Sequence, residues 1–493
     1  MTEIKHYVKN RFSIDFWIAA LLFIICFVWK AFYLNARDLC LDEPYTLFHA
    51  QQGLKHVVEL SFSKEPTPPL FMALVWLVNV GADLSTPILR LLPLTFNSLT
   101  IVFLYKAGRL LEGRYTGLLA SLLFLLSSTH FYFGLELRTY SLASLATVLS
   151  IYGFLRLIQK PGWRSVFILS AGQLLFLYCN YFGWMLVGVL YGLGILLYLK
   201  NRSIILDLSK ALVITILGFS PFFIVLYTRF MTASGGTWIA PPLSDYYINF
   251  IGYFVNDKAV LLLCFALVLV ALIIRLVLRY KFNTADRSHW KKALIMALIF
   301  LIPYSFMFFV SFKIPMFIDR YILFNSIPLY LGLALIIRLS SLKSVPLFGT
   351  LSFVLVLGAM YQEMNILPES YYYRELAKAD QCINTDEKAA IIVYPKWSEL
   401  AFSYHHDKEL FKSHSDLAEK LKENDIYPVW GFDDFNGKKN NIANKRIYLY
   451  ADGNSGTSDY KRINSYLNKN YNKVDSQFFK ACIYVTTYEK KEE

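Results

Sequence analysis

The chain has 493 residues, of which 56% are hydrophobic and 17% aromatic, and its formal net charge is +13. Several apolar runs reach the roughly 20 residues that a helix needs to cross a bilayer, which excludes an ordinary soluble protein and indicates a polytopic membrane protein. The Lys and Arg residues collect in short loops between these runs, so the positive charge encodes membrane orientation and does not indicate a nucleic-acid partner. The six cysteines show no CxxC or His/Cys spacing, so no zinc or redox motif is predicted.

The first membrane helix is predicted near the N-terminus. The apolar run from Ile14 to Leu34 follows a basic segment, is too long for a cleaved signal peptide and has no clear cleavage site. We expect it to remain as a helix with the N-terminus in the cytoplasm. The sequence then reads LDEPYT, in which Asp42 and Glu43 are adjacent carboxylates at the mouth of that helix. Because an ionised side chain loses solvation near hydrocarbon, this pair is interpreted as a working site.

The next apolar stretch, Pro68–Val80, is short. As a helix it would rise only about 20 Å, which is less than the thickness of the hydrocarbon core. If it spanned the membrane, the later basic loops would all lie outside, against the positive-inside rule. It is therefore predicted to lie along the outer interface as a short amphipathic or re-entrant helix.

This choice predicts a membrane domain of eleven spanning helices over residues 1–364, with a first outer loop at 35–87. The helices are expected at 14–34, 88–107, 115–133, 139–157, 164–178, 181–199, 208–228, 259–279, 292–312, 319–338 and 345–363. An odd count with a cytoplasmic N-terminus puts the C-terminus outside. The predicted location is the cell (inner or plasma) membrane, with several passes and membrane lipids as neighbours.

Residues 365–493 are polar and rich in Tyr and Lys. Strand-like runs read AAIIVYP, KRIYLY and ACIYVTTY, and helix-like charged stretches lie at Ser415–Glu423 and Asp459–Tyr471. This alternation predicts a small extracytoplasmic α/β domain. Cys382 and Cys482 both fall in it, and either a disulfide or two separate thiols is compatible with an oxidising compartment.

The predicted topology also gathers charged residues at the outer face. Taken alone, each fits an interfacial anchor or a structural ion pair. Their joint placement on one face favours a functional site. The gathered residues are Asp42, Glu43, Lys64, Glu65, Glu136, Arg138, Asp319 and Arg320. Three other polar residues do not belong to this outer-face group and are interpreted as ordinary loop or helix-end residues: His130, Asp83 and Asp207.

Five motifs in this order carry a family resemblance. They read LDEPYT after the first helix, PPL before a short apolar piece, LRLLPLTFNSL, YFGLELRTYSLASL and RYILFNSIPLYL. Together they resemble the dolichyl-phosphate-mannose protein mannosyltransferase superfamily. These are GT-C fold membrane glycosyltransferases, and they include the bacterial aminoarabinose transferases that modify lipid A. The likeness covers about residues 12–340.

The resemblance implies an enzyme: an inverting glycosyltransferase that moves a sugar from a polyprenyl-phosphate donor to a lipid, glycan or protein acceptor at the outer face. Asp42 would act as general base, since a carboxylate can take the proton of an acceptor hydroxyl or amine as it attacks the anomeric carbon. Glu43 would assist. A divalent metal stays open, with Glu43 and Glu136 as the ligands that the resemblance offers.

On the donor side, the resemblance implies positive charge on the departing phosphate. Arg138 matches the family's arginine, and its guanidinium suits phosphate oxygens. Arg320 and Lys64 are further donor phosphate-binding candidates, and Glu136 would orient Arg138. One departure affects this assignment. Thr67 stands where many relatives have His or Lys before the Pro pair, so phosphate binding by this loop rests on Lys64.

Two other classes of function compete. A transporter or flippase of a polyprenyl-linked sugar would also need charged residues near the membrane surface, but such proteins often show internal repeats, and none is visible here. An interaction scaffold would explain the C-terminal domain and not the acidic loop. The sugar and the acceptor depend on pocket shape, and the sequence does not identify either.

Overall fold

The structure is a computed structural model that describes residues 13–63, 67–234, 239–277, 284–340, 346–366, 374–384, 389–453, 457–480 and 483–491. The described residues divide into two compact units. Unit 1 lies within Met1–Phe32, Val58–Phe71 and Arg90–Ile366. Unit 2 lies within Tyr33–Val57, Met72–Leu89 and Leu367–Glu493. The boundary between residues 364 and 365 is placed where the apolar segments of the sequence end. It stays a prediction.

Up to residue 366 the described chain is helical, apart from its turns and loops. The helices are α1 (Ile14–Ala31), α2 (Glu43–Ala50), α3 (Leu54–Ser63), α4 (Leu70–Ala82), α5 (Thr86–Glu112), α6 (Arg114–Leu125), α7 (Ser128–Tyr132), α8 (Tyr140–Gln159), α9 (Trp163–Leu177), α10 (Gly183–Tyr198), α11 (Arg202–Phe219), α12 (Phe223–Ser234), α13 (Tyr246–Phe254), α14 (Lys258–Val277), α15 (Thr284–Val310), α16 (Asp319–Ile322), α17 (Ser326–Ser340) and α18 (Pro346–Gln362). Short 3-10 turns follow α11 and α16, at Ser220–Phe222 and Leu323–Asn325.

All eleven predicted membrane segments overlap helices of the structure, and Pro68–Val80 overlaps α4. Among the described residues, six helical stretches are long and apolar enough to cross a membrane, and α13 with α14 forms a bent pair that adds a seventh candidate. Helices α4, α6, α9 and α10 are apolar but shorter, as is Thr350–Gln362. The protein is thus a multi-pass membrane protein. The count of eleven spans and the interfacial position of α4 stay predictions.

One end of α1 is held by ionic contacts within unit 1. Asp15, in the first turn of α1, accepts hydrogen bonds from Tyr105 Oη at 2.8 Å and from Arg114 Nε at 2.8 Å. Arg109 Nη2 lies 2.9 Å from the other carboxylate oxygen. Because α5 supplies Tyr105 and Arg109 while α6 begins with Arg114, the Asp15 carboxylate joins three helices.

The C-terminal part of unit 2 is an α/β domain, as the sequence predicts. Its elements are α19 (Leu376–Gln381), β1 (Ala389–Tyr394), α20 (Glu399–His406), α21 (Lys408–Phe411), α22 (Leu417–Glu423), β2 (Ile426–Pro428), α23 (Phe432–Ile442), β3 (Arg446–Asp452), α24 (Ser458–Asn470), β4 (Tyr471–Phe479) and β5 (Ile483–Lys490), with 3-10 turns at Lys396–Ser398 and His414–Asp416. The strands lie in the order β2-β1-β3-β5-β4. β1 is parallel to β2 and β3, whereas β5 is antiparallel to β3 and β4.

Helices cover both faces of this sheet. On one face, Tyr394, Ile447 and Leu449 pack in a buried apolar cluster with Phe435 of α23 and Ile463 of α24. On the other face, α20 contributes Phe402, whose ring lies 5.1 Å from that of Tyr450. β1 is buried along its whole length, which is the pattern expected of a central strand with both faces covered.

The first loop is part of unit 2 and packs on this α/β domain. Asp38 Oδ2 accepts the backbone N–H of Ala377 at 2.9 Å, and His405 Nε2 lies 2.9 Å from the carbonyl oxygen of Leu39. Gln51 Nε2 donates to the carbonyl oxygen of Phe411 at 2.8 Å. These contacts bracket residues 40–50, so the α/β domain fixes the position of the loop that carries Asp42 and Glu43.

Candidate active site

Asp42 and Glu43 lie where helix α2 begins. Asp42 is the N-cap residue, Glu43 opens the first turn, and Pro44 follows inside that turn, which is a position where proline costs no hydrogen bond. Leu41 has a φ of 55°, in the left-handed region, so the chain turns sharply just before the two carboxylates. This turn and the new helix send adjacent side chains into different surroundings.

Glu43 is buried, with 1% of its surface exposed. Its Oε1 lies 3.8 Å from Nη2 of Arg37, which is itself buried, and its Oε2 accepts the backbone N–H of Cys40 at 3.4 Å. A buried carboxylate of this kind is stable only when it is paired and hydrogen-bonded. The Arg37–Glu43 pair therefore closes the loop between α1 and α2.

Asp42 keeps part of its surface exposed. Its side chain makes no capping hydrogen bond to α2, although its carbonyl oxygen accepts from the hydroxyl of Thr46 at 3.2 Å. The start of a helix carries partial positive charge, which favours an ionised carboxylate there. Of the two adjacent acids, Asp42 is thus the partly exposed one, and Glu43 is buried beside Arg37.

Glu136 and Arg138 lie in the turn between α7 and α8 of unit 1. The backbone N–H of Arg138 donates to the carbonyl oxygen of Glu136 at 2.7 Å, so the turn is tight. Glu136 is 4% exposed, and Arg138 is half-buried. A tight turn with a buried acid and a half-buried guanidinium can present the guanidinium to an anion.

Asp319 and Arg320 open α16, also in unit 1. Asp319 Oδ1 accepts the backbone N–H of Arg320 at 2.7 Å, and both side chains are half-buried. Tyr253, at the end of α13, interacts electrostatically with both Asp319 and Glu136. Glu136 and Asp319 thus both act electrostatically on one phenol of unit 1, and Asp42, Glu43 and Arg37 belong to unit 2.

Two predictions concern residues outside the part of the chain that the structure describes. Lys64 lies outside the described residues, as do Glu65 and Cys482, so the role of Lys64 and the pairing of Cys482 with Cys382 stay predictions. In the part of the chain that the structure describes, no group of three or more His, Cys, Asp or Glu side chains could hold a metal ion. Glu43, one of the two predicted metal ligands, lies 3.8 Å from Arg37 Nη2, and a metal at Glu43 and Glu136 stays a prediction.

Arg37 and Tyr253 interact with candidate site residues, and neither was predicted from the sequence. Arg37 had a signal, since a basic residue six positions before Glu43 in the same outer loop is a natural partner for it. Tyr253 had none, because it comes more than a hundred residues after Glu136 and belongs to a segment between two predicted helices. Only folding brings it within electrostatic range of the two acids.

Comparison with known proteins shows the fold. No protein-family model matches the chain, and no curated protein matches it. ArnT from Cupriavidus metallidurans in the apo state is similar with a TM-score of 0.59 and 12% identity, over 96% of this chain and 97% of that one. The same protein bound to undecaprenyl phosphate gives a TM-score of 0.58 at 12% identity, over 96% and 98% of the two chains.

A third solved structure is the oligosaccharyltransferase of Archaeoglobus fulgidus in complex with Zn and sulfate. It is similar with a TM-score of 0.53 and 11% identity, over 96% of this chain and 72% of that one. These likenesses extend over nearly the whole chain, including its C-terminal domain. They confirm the GT-C fold that the motifs predict.

Proposed function

We propose that the protein is an inverting glycosyltransferase that moves a sugar from a polyprenyl-phosphate donor to a lipid, glycan or protein acceptor at the outer face of the membrane. The observation that carries this proposal is the arrangement at the start of α2, where Asp42 stays partly exposed beside the buried Arg37–Glu43 pair. The fold supports it, because a solved structure of the same fold, ArnT, is bound to undecaprenyl phosphate.

Asp42 acts as the general base at the acceptor. Its carboxylate takes the proton of the acceptor hydroxyl or amine while the acceptor heteroatom attacks the anomeric carbon and the bond to the donor phosphate oxygen breaks. One displacement inverts the anomeric centre. Since the departing phosphate is already a good leaving group, no second carboxylate is required as an acid, in contrast to glycosidases.

Arg138 and Arg320 stabilise the departing phosphate in this scheme. Both guanidinium groups are half-buried in unit 1, and each follows an acid that interacts electrostatically with Tyr253. Charge-assisted hydrogen bonds from a guanidinium to phosphate oxygens are strong and directional. Lys64 remains a third proposed phosphate ligand. No step is assigned to a metal, because the described residues offer no ligand set for one.

The transporter alternative receives less support. Transporters of this kind often show internal repeats, and the sequence shows none. The proposed orientation places the N-terminus in the cytoplasm and the C-terminal domain outside, in the cell membrane. Assaying transfer from undecaprenyl-phosphate-linked sugars in proteoliposomes separates the two, because only an enzyme forms a covalent sugar–acceptor product.

The assignment of Asp42 is tested with a matched neighbour. Asp42→Asn should leave folding and undecaprenyl phosphate binding intact and lower turnover by about 10² to 10⁴, the usual loss for a general base. Glu43→Gln should instead lower the thermal unfolding temperature, since the buried Arg37 loses its counter-charge. Turnover near the wild-type rate in purified Asp42→Asn protein would remove Asp42 from the mechanism.

The donor side is tested at Arg138. Arg138→Ala should weaken undecaprenyl phosphate binding and slow transfer. Arg138→Lys should retain only part of the wild-type binding and transfer rate, because lysine keeps the charge and loses the planar guanidinium. The matched control is the Glu136→Gln, Arg138→Gln double variant. If Arg138 merely balances Glu136, this double variant should work, and the phosphate would then be assigned to Arg320 or Lys64.

A further inference from the structure

Lys30, in the last turn of α1, is completely buried in unit 1. Its Nζ donates to Oδ1 of Asn97 at 2.6 Å and to the carbonyl oxygen of His130 at 2.8 Å. The rings of Phe124 and Phe131 lie 5.5 Å and 5.3 Å from the same nitrogen. A buried ammonium in a membrane helix is expensive, so this environment has a structural or functional reason.

Asn97 extends these contacts to the turn that carries Glu136 and Arg138. Its Nδ2 donates to the same carbonyl oxygen of His130, at 3.3 Å. The amide also lies directly against Gly134, where an added Cβ would come within 2.5 Å of Nδ2 and 2.4 Å of the His130 carbonyl oxygen. Only glycine fits between Asn97 and this backbone, so the Asn97 side chain sets where residues 130–134 lie.

His130 extends them to the segment that follows Asp319 and Arg320. Its Nε2 lies 2.6 Å from Oγ of Ser326, the first residue of α17. Ser326 is fully buried, and its hydroxyl donates to the carbonyl oxygen of Leu323 at 2.7 Å, in the 3-10 turn directly after α16. We call Lys30, Asn97, His130 and Ser326 the Lys30 cluster. It joins α1, α5, α7 and α17 through one connected set of polar contacts.

We propose that the Lys30 cluster is the positioning device for the donor phosphate site. It fixes the turn of Glu136 and Arg138 through His130 and Gly134, and it fixes the segment of Arg320 through Ser326. This inference rests on the proposed function, since it concerns the two arginines assigned to the phosphate. None of the four residues is proposed to touch the donor; each acts through the backbone that carries an arginine.

A purely structural role makes a different prediction for one variant. Asn97→Asp keeps the shape of the side chain and gives Lys30 a counter-charge, so a cluster that merely satisfies Lys30 should be as stable as before or more so. The same change replaces the Nδ2 donor with an oxygen that faces the His130 carbonyl oxygen. Two acceptors in contact repel, so the turn has to move if Asn97 positions it.

We therefore expect Asn97→Asp to keep the thermal unfolding temperature and to weaken undecaprenyl phosphate binding by about tenfold to a hundredfold, the loss typical of a displaced binding group. In the transfer assay the KM for the donor should rise, while the KM for the acceptor should not. Binding and donor KM equal to wild type in this variant would overturn the inference.

Gly134 provides a second test with a matched control. Gly134→Ala places a methyl group against Asn97 and should weaken undecaprenyl phosphate binding in the same way, because residues 130–134 must shift. Gly188→Ala, in α10 of the same unit, adds a methyl group that meets nothing within 4 Å and should bind like wild type. Equal binding by Gly134→Ala and Gly188→Ala would overturn the positioning role of Asn97.

The wild-type protein separates failure of this inference from failure of the proposed function. If wild type binds undecaprenyl phosphate and forms product, the variants report on the Lys30 cluster alone. If wild type neither binds it nor transfers sugar from it, the proposed function is wrong, and the inference falls with it. Both results come from the full-length protein in the same nanodiscs and proteoliposomes.

Discussion

Lys30 of unit 1 and Arg374 of unit 2 are both cations with 1% or less of their surface exposed, but their surroundings differ. Arg374 pairs with the buried carboxylate of Asp452, which also accepts from Oγ of Ser398 at 2.9 Å. Lys30, within the described residues, contacts neutral oxygens and aromatic rings and no carboxylate. The charge of Arg374 is neutralised by an ion pair, whereas that of Lys30 is solvated by protein dipoles.

This difference decides what each cation leaves behind when it is removed. Removing one member of a buried ion pair is costly, because the other ion stays buried without a counter-charge. A charge solvated by dipoles leaves only neutral acceptors, which cost less when one donor is lost. The α/β domain therefore relies on its ion pair for stability, whereas the Lys30 cluster is suited to fixing geometry.

The largest expected effect is that of Arg374→Met. It leaves the Asp452 carboxylate buried beside the neutral hydroxyl of Ser398, which donates to it, so the α/β domain should lose about 3–5 kcal/mol of stability. Hydrogen exchange of the β1 and β3 amides in the full-length protein measures this loss. Adding Asp452→Asn to Arg374→Met should restore most of the protection, since no charge then remains. A single variant with unchanged exchange would show that the pair contributes nothing.

Lys30→Met should cost less, about 1–3 kcal/mol, because it removes the charge together with its desolvation and leaves neutral acceptors. One of these, the carbonyl oxygen of His130, still accepts from Asn97 Nδ2. Thermal unfolding of this variant beside Arg374→Met in the same detergent gives the order of the two effects. A greater loss for Lys30→Met would contradict the comparison and assign the larger structural role to the Lys30 cluster.

The smallest expected effect is a pH dependence of unit 2. Burial, and then the neighbouring His56 whose Nε2 lies 3.1 Å from Nδ1, lower the pKa of His49 from 6.5 to about 4. The folded state thus binds this proton less well than the unfolded chain. The stability contributed by neutral His49 is complete above pH 6.5 and is lost as the pH falls towards 4.

Because His49 is partly exposed, we expect this loss to be on the order of 1 kcal/mol. The measurement is hydrogen exchange of α2 amides between pH 7 and 4.5, corrected for the intrinsic pH dependence of exchange. His49→Gln should remove the pH dependence that remains in α2 exchange after this correction, and Arg374→Met should not change it. An unchanged slope in His49→Gln would assign the pH dependence to another group, such as His414, whose pKa burial also lowers.

Much of the fold could be predicted because it depends on local pattern. Every predicted membrane segment overlaps a helix, and the strand-like runs AAIIVYP, KRIYLY and ACIYVTTY overlap β1, β3 and β5. The misses are the two edge strands. β2 has only three residues, and β4 is exposed along most of its length, so neither carries the apolar alternation by which strands are recognised. Their pairing comes from neighbouring strands.

Three residues of the quoted motifs have a structural role that the sequence did not reveal. Asn97, Gly134 and Ser326 stand in three of the five quoted motifs, and the structure joins them through Lys30 and His130. His130 reads in the sequence as an ordinary loop or helix-end residue, and in the structure it is fully buried and hydrogen-bonded at both its backbone and its ring. Contacts between residues about 30 to 200 positions apart leave no periodic trace in the chain.

The sequence by itself determined that two adjacent carboxylates follow the first membrane helix, because their letters and the apolar run before them are local facts. Tertiary structure alone decided that the two differ. The left-handed Leu41 and the start of α2 turn Glu43 inward to Arg37 and keep Asp42 partly exposed, and contacts from the α/β domain more than 300 residues later hold that loop. Burial is a property of the packed chain, so two identical charges acquire different chemistry only after folding.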